Sequence, residues 1–157
     1  MKDAKVPDPT VSDLKEHVGF WLRFVSNHVS HAFARKLLAS GATVAEWVVM
    51  REMFDDEEIS PGVVAERIGM TRGGVSKLVD RLVGKKIITR RDRSDDRRYQ
   101  SIALTAAGRR LLPQLAALAD RNDEEFFHPL STGERAALIA MMKKLVRAHG
   151  LETLPTE

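Results

Sequence analysis

The sequence predicts a mainly α-helical fold that carries one small β hairpin. The first observation is a set of apolar residues spaced at i, i+3, i+4, i+7 and i+8, which places one apolar stripe along a helix. These residues are Val75, Leu78, Val79, Leu82 and Val83. The second observation is a pair of β-prone runs, residues 87–91 and 99–104, separated by a polar segment rich in arginine. The third is a series of helix-capping signals on both sides of this region, which predicts helices for the rest of the chain.

The N-terminal part of the chain predicts two helices. Residues 12–39 carry apolar side chains at helical spacing, and we interpret them as one long helix that ends at a Ser-Gly pair. Thr43 and Glu46 have the spacing of a capping box, which predicts a second helix over about 44–53. Four acidic residues at 55–58 would oppose the dipole of that helix at its C-terminus, so we expect them in the loop beyond it.

Two helices joined by a tight turn come next. Ser60 is a good N-cap residue, the proline after it is well tolerated at the first helical position, and this helix should stop at Gly69. Thr71 caps the following helix, which should run to about Lys86. The connection of about three residues is the turn length of a helix-turn-helix.

The hairpin after these helices should form a wing. Its second run alternates Gln100, Ile102 and Leu104 with Ser101 and Ala103, so one side can cover the core while the other stays polar. A helix-turn-helix followed by such a hairpin is a winged helix-turn-helix.

Two more helices complete the chain. Thr105 caps a helix that should extend to about Phe127, and Pro113 inside it should bend it. Residues 131–134 form a second capping box, which starts a last helix that ends near Gly150. The predicted order is therefore α1-α2-α3-α4-β1-β2-α5-α6.

The whole chain of 157 residues, 43% of them hydrophobic, is expected to form one domain. Residues 41–104 are its winged helix-turn-helix lobe, and the flanking segments 11–40 and 105–150 are expected to be dimerisation helices.

Helix α1 has large apolar groups around much of its circumference, more than one core can cover, which favours a second partner surface. The matching apolar residues on the last two helices are Leu111, Leu112, Leu115, Leu118, Leu138, Ile139, Met141, Met142, Leu145 and Val146. A symmetric homodimer is the commonest solution, and the alternative is that these helices pack only on their own lobe.

Positive charge is concentrated in one part of the chain. Residues 60–100 hold eleven basic and five acidic side chains, a balance of +6, whereas the whole chain carries only +3. An uneven distribution of this kind is typical of a protein that binds nucleic acid, although basic runs are also found on ordinary solvated faces. The expected partner is double-stranded DNA.

Several other classes of site and location are not expected. The chain has no cysteine, which removes thiolate metal sites, cysteine nucleophiles and disulfides and fits a reducing cytoplasm. No apolar run approaches the ~18 residues of a membrane span, and the first ten residues lack the apolar core of a signal peptide. We expect a cytoplasmic protein with no membrane partner.

The polar side of the helix that follows Thr71 carries small and basic residues that suit contact with DNA. We expect Arg72, Gly73, Ser76 and Lys77 to face the groove, with Arg81 on the flank. Lysine and arginine can read guanine or grip phosphate, and the sequence leaves both open. Ser60 and Thr71 are candidate phosphate donors, although capping alone explains them. Asp80 is expected to pair with Lys77 or Arg81 and fix their direction.

Two segments, SPGVVAERIGMTRGGVSKLVDRLVGKKIITR (60–90) and DDRRYQSIALTAAG (95–108), resemble the MarR (multiple antibiotic resistance regulator) family of bacterial transcription factors. The resemblance covers roughly residues 12–150. It implies a helical dimer with a winged helix in each lobe and a recognition helix over 71–85. It also implies that Arg98 of the wing enters the minor groove, that Asp96 orients it, and that Arg97 is an additional wing cation. Family members commonly repress promoters, and many release DNA when a small aromatic acid or similar ligand binds.

An effector site can be suggested only by residue type. Trp21 and Trp47 offer flat walls, Met50 an adaptable one, and His17 or Arg51 a charge for a small aromatic or anionic ligand. Tryptophans at helical spacing are also ordinary core residues.

No cofactor is expected, and no metal. His28 and His31 lack a third ligand, and the acidic run at 55–58 suits a solvated loop better than a cation site.

Other functions fit the sequence less well. A Gly-rich phosphate loop, an HExxH helix and a Gly-x-Ser-x-Gly elbow are all absent, so an enzyme is not expected. A winged helix that binds only protein has little reason to keep an arginine-rich wing, whose members are Arg90, Arg91, Arg93, Arg97 and Arg98. A DNA-coating protein without sequence preference is a third possibility. We therefore predict a sequence-specific transcriptional regulator, a homodimeric repressor on a palindromic operator that a small molecule releases.

Overall fold

The computed structural model describes residues 11–92 and 100–152, and within them the elements follow the predicted order. The helices and strands are α1 (Val18–Leu38), α2 (Val44–Met53), α3 (Pro61–Ile68), α4 (Arg72–Gly84), β1 (Ile88–Asp92), β2 (Gln100–Leu104), α5 (Ala106–Phe127) and α6 (Thr132–His149). The strands pair antiparallel, with Ile88 opposite Leu104 and Asp92 opposite Gln100. The mainly helical fold with a two-stranded wing is therefore confirmed.

The prediction of one continuous helix from residue 12 is wrong. Residues 14–16 form a single 3-10 turn, and α1 begins only after His17, whose backbone is extended. The Asp13 side chain accepts a hydrogen bond from the Lys15 backbone N–H at 2.8 Å, which favours a local turn over continued helix. The Trp21 indole donates to the Lys15 carbonyl, also at 2.8 Å, and holds this turn against α1.

The capping signals are confirmed. Both predicted capping boxes, at Thr43 and at Ser131, form with their reciprocal glutamates, and Gly69 and Gly150 adopt the left-handed conformation at the ends of α3 and α6. Helix α4 stops slightly before the predicted Lys86, which itself has φ of 61°. A left-handed residue cannot continue a right-handed helix, so the chain turns there into β1.

One hydrophobic core joins the C-terminal half of α1 to the helices of the lobe, the hairpin and the start of α5. Its fully buried members include Leu37, Val49, Val75 and Ile102. Leu112 and Leu115 also belong to this core, which corrects their assignment to a dimer surface. Pro113 lies inside α5, and its expected bend stays a prediction.

The second strand does not alternate between a buried and a polar side as predicted. Ser101 and Ala103 are buried together with Ile102 and Leu104. The loop after α2 covers the expected polar side, because Ile59 pairs with Ile102 and the Ser101 hydroxyl donates to Glu58 at 3.1 Å. The acidic run is thus in the loop, as predicted, and forms part of the lobe's structure.

The terminal helices are the least covered elements. Helix α6 has no buried residue and is attached to the end of α5 through Arg135, which pairs with Glu124 at 2.7 Å and donates to the Phe127 carbonyl at 3.0 Å. Large apolar side chains are exposed on α1 and α6, namely Val18, Trp21, Leu22, Phe24, Val25, Ile139, Met141, Met142, Leu145 and Val146. In the described part of the chain, none of the helices combines the length and the hydropathy that a membrane span needs.

Candidate nucleic-acid interface

Helix α4 presents two chemically different faces. The Thr71 hydroxyl accepts a hydrogen bond from the Gly74 N–H at 3.1 Å and starts the helix. The apolar stripe at Val75, Leu78, Val79 and Leu82 is buried in the core. Burying this stripe fixes the rotation of the helix, so the residues between the apolar positions must point to solvent.

The predicted DNA-facing residues share the exposed face of α4. They are Arg72, Gly73, Ser76, Lys77 and Arg81. Within the described residues, Lys77 and Arg81 form no ion pair or side-chain hydrogen bond, and their charges are not neutralised by the protein. No side chain obstructs Gly73, where an added Cβ would meet nothing within 4 Å. The arrangement is an uncrowded cationic strip that a phosphate backbone can approach closely.

Both candidate phosphate donors are exposed N-cap residues. Ser60 accepts from the Val63 N–H at 3.2 Å, as Thr71 does from Gly74. A hydroxyl that accepts in a cap keeps its own proton for donation, so capping and phosphate contact are compatible. The Arg72 guanidinium lies 3.9 Å from where a Cβ on Gly62 would be, which brings it over the first turn of α3 beside Ser60.

The expected pairing of Asp80 with Lys77 or Arg81 is wrong. Asp80 instead pairs with Arg90, which follows α4 in the chain and lies on β1. The antiparallel return of the chain brings β1 alongside α4, a proximity that helical spacing within α4 cannot reveal. The pair offsets the negative charge of Asp80 on a face that is otherwise cationic, and it leaves Lys77 and Arg81 available.

An ion pair between a buried glutamate and a half-exposed lysine fixes the C-terminal end of α4. Glu46 is only 1% exposed, and Lys85 donates to its two carboxylate oxygens at 2.9 and 2.8 Å and to the Gly41 carbonyl at 2.8 Å. Burial alone would raise the pKa of Glu46, but the hydrogen bonds from Lys85 and Thr43 outweigh it and hold the pKa below its ordinary value. Sequence analysis gave Glu46 only a capping role and gave Lys85 none.

The base of the wing is attached to the loop after α2. Arg91 of β1 pairs with Glu58, which also accepts from the Ser101 hydroxyl of β2. One loop carboxylate therefore contacts both strands and fixes the direction in which the hairpin leaves the lobe. The wing residues Asp96, Arg97 and Arg98 lie outside the described residues.

The five residues suggested for an effector site do not share one cavity. His17 is exposed before α1, and Trp21 is 48% exposed on that helix. Met50 is fully buried in the core, and Arg51 pairs with Asp55 at 3.0 Å. Of these five described residues, Trp47 lines the cavity between α1, α2 and α5.

That cavity lies between α1, α2 and α5 and has a volume of about 280 Å³. Besides Trp47, its walls are Val29, Ser30, Phe33, Val44, Ala119, Asp120, Asn122 and Asp123. Asn122 is the signal that sequence analysis missed: it continues the apolar spacing of Leu111, Leu115 and Leu118 and is 3% exposed. Its amide donates to the Val29 carbonyl at 3.4 Å and accepts from Lys36 at 3.3 Å.

Metal ligands do not gather in the described residues: no three histidine, aspartate or glutamate side chains there could hold an ion together. The acidic loop pairs instead with arginines, as in the 2.8 Å contact of Asp56 with Arg67.

Comparison with known proteins supports the resemblance to the MarR family. The model of the MarR family matches residues 40–98, the region from the end of α1 through the wing. A Thauera aromatica protein named as a transcriptional regulatory protein for the hcr operon is 28% identical over 148 residues, 88% of this chain and 89% of that protein. The chain is therefore similar to MarR-family proteins over its winged helix, and the relatives it matches are transcriptional regulators.

Solved structures share the fold of this chain. BpsR of Bordetella bronchiseptica, whose DNA binding is regulated by 6-hydroxynicotinic acid, is 26% identical with a TM-score of 0.78, over 87% of this chain and 99% of that one. A Cys-to-Ser mutant of Escherichia coli MarR in complex with operator DNA is 24% identical with a TM-score of 0.77, over 86% and 99%. The second likeness concerns the fold, which is that of the MarR winged helix.

Proposed function

We propose that this protein is a cytoplasmic, homodimeric repressor of the MarR type that binds a palindromic operator and leaves it when a small molecule binds. The observation that carries the proposal is the exposed cationic face of α4 next to a fixed wing base. A buried apolar stripe sets the direction of that face, and two of its cations, Lys77 and Arg81, are unpaired within the described residues. Helix α4 would lie in the major groove, with phosphate contacts from Ser60, Thr71 and Arg72.

The wing would contact the minor groove beside the site of α4. By resemblance to the family, Arg98 enters the groove, Asp96 orients it, and Arg97 adds charge. An arginine on a thin hairpin suits a narrow, electronegative groove, and a neighbouring carboxylate limits its rotamers before binding.

The proposed dimer forms through segments 11–40 and 105–150, with residues 41–104 as the reading lobe. The apolar surface that the single chain leaves exposed on α1 and α6 supports this dimer. A two-fold axis through these helices would place two recognition helices about 34–36 Å apart, one turn of DNA. Such a dimer reads two half-sites of a palindrome.

The effector would enter the cavity between α1, α2 and α5. This position connects the proposed dimer helices to the lobe, because α2 also carries Glu46, the partner of Lys85 at the end of α4. A ligand that moves α2 relative to α5 would therefore move α4 as well. The regulation of BpsR by 6-hydroxynicotinic acid supports a small aromatic ligand for this class of lobe.

Selection of genomic DNA fragments by the purified protein tests the proposal. We expect the bound fragments to share two inverted half-sites whose centres are about one helical turn apart. Competition with random DNA separates operator binding from sequence-neutral coating. A protein that retains no fragment at low ionic strength is better explained as a winged-helix module that binds protein.

Lys77 provides a residue-level prediction. If its ammonium neutralises a phosphate or base edge, Lys77→Ala should reduce the slope of log affinity against log salt by about one unit. Fluorescence anisotropy with the selected operator between about 50 and 200 mM salt measures that slope. The affinity of the parent protein should fall at least about tenfold over this range. Lys144→Ala, an exposed lysine on α6, is the matched control and should leave the slope unchanged. Equal slopes for both variants would remove Lys77 from the interface.

A further inference from the structure

The cavity between α1, α2 and α5 has an aromatic wall of fixed geometry. The rings of Phe33 and Trp47 meet edge to face, with their centroids 6.1 Å apart and their planes at 84°. Val29 and Val44 extend this apolar wall. A cavity of about 150 Å³ is large enough for benzene, so about 280 Å³ accommodates one ring with a short substituent.

The charged groups of the cavity are all acidic. Asp120 and Asp123 line it, and within residues 11–92 and 100–152 neither carboxylate forms an ion pair. Asp123 lies near enough to Arg135 to raise the pKa of that guanidinium. Within the described residues Asp120 forms no ion pair or side-chain hydrogen bond, so the cavity offers at least one carboxylate available to a cationic ligand.

Among the described residues, none that lines the cavity is cationic. Lys36 lies beside the lining residue Asn122, with its ammonium 3.3 Å from the Asn122 amide oxygen and 2.7 Å from the Glu125 carboxylate. The pair with Glu125 already balances the charge of Lys36. The two cations that the sequence suggested for an anionic ligand, His17 and Arg51, do not line it either.

We propose that this cavity selects an aromatic ligand that carries a positive charge, such as an arylalkyl amine, over aromatic acids. The ring would pack against Phe33 and Trp47, and the ammonium group would donate charge-assisted hydrogen bonds to Asp120 and Asp123. A carboxylate in the same place would face two like charges and lose its water shell without a partner. The inference rests on the proposed function, since it names the class of effector for that cavity.

Three probes of matched shape test the charge preference: 2-phenylethylamine, 2-phenylethanol and phenylacetate, with 6-hydroxynicotinic acid as a further anion. The 157-residue chain carries two tryptophans, so a Trp21→Phe background leaves Trp47 as the reporter. Titration of Trp47 fluorescence should give an amine affinity at least about tenfold above that of phenylacetate, because one charge-assisted bond is worth about that much.

Variants of the two carboxylates decide whether they set the preference. Asp120→Asn with Asp123→Asn should abolish the preference for the amine, and Asp120→Glu should keep it. Glu57→Gln removes one negative charge from a loop outside the cavity and should change nothing. Circular dichroism of each variant verifies that the helices remain folded.

The proposal is overturned if either acid binds more tightly than the amine, if no probe binds, or if the double asparagine variant keeps the preference. DNA binding is measured in a separate arm with the selected operator. An amine that binds the free protein and leaves operator affinity unchanged contradicts ligand release and still supports the charge selectivity. If the ligand-free protein does not bind the operator, the proposed DNA-binding function is wrong, whatever the probes show.

Discussion

Met142→Asp should convert the protein to a monomer and weaken operator binding by at least about a hundredfold. Met142 is 41% exposed at the centre of a stripe on α6 that also contains Leu138, Ile139, Leu145 and Val146. An aspartate there would place an unpaired charge in the proposed apolar interface. A monomer lacks the second winged helix-turn-helix lobe and therefore loses the gain from linked binding of two lobes, which is typically about 10²–10⁴ in affinity.

The chain offers a matched control for this variant on the same helix. Ala140→Asp adds the same charge two residues earlier, about 200° around the helix, and should keep both the dimer and the operator affinity. Light scattering during gel filtration measures the oligomeric state, and anisotropy measures DNA affinity. Since α6 has no buried residue, both variants should keep the helix content of the parent. A dimeric Met142→Asp protein would place the interface elsewhere.

Most of the fold could be predicted because its signals are local. Caps depend on residues three apart, and the stripe of α4 depends on residues three and four apart, so neither needs knowledge of distant parts of the chain. The same limit explains the errors. Asp80 pairs with Arg90 across an element boundary, and Ser101 is buried by a loop more than forty residues earlier. Neither contact corresponds to a regular sequence spacing from which it could be predicted.

The same distinction between local signals and distant contacts applies to the candidate site. The exposure of the predicted residues on α4 follows from its apolar stripe, whereas the partner of Asp80 on that face does not. The cavity has walls from three helices, and of the five suggested residues only Trp47 is among them. Residue type alone favoured tryptophan, methionine and a cation, whereas the packing selected Asp120, Asn122 and Asp123 from α5. Asn122 interrupts an apolar stripe, and that is the one local signal that points to the cavity.

Gly108 shows how a single atom can decide whether the wing and α5 fit together. A Cβ at this position would be 2.4 Å from the Ile87 carbonyl oxygen, which already accepts from the Thr105 N–H at 2.9 Å and its hydroxyl at 3.1 Å. The obstacle is backbone, so it cannot rotate away as a side chain would. The first turn of α5 can pack against the start of β1 only because residue 108 has no side chain.

Gly108→Ala should therefore lower the free energy of unfolding by about 2–3 kcal/mol, at the upper end of the usual cost of overpacking, despite the higher helix propensity of alanine. Gly133→Ala is the matched control, because Gly133 is also in the first turn of its helix and an added Cβ meets nothing within 4 Å. The control should be neutral or more stable by up to about 1 kcal/mol. Urea unfolding of all three proteins at one concentration measures the difference, since a dimer's stability depends on concentration. Equal midpoints for Gly108→Ala and the parent would mean that α5 can move away from β1 at little cost, and the wing would then not be held rigidly to the helix that leads to α6.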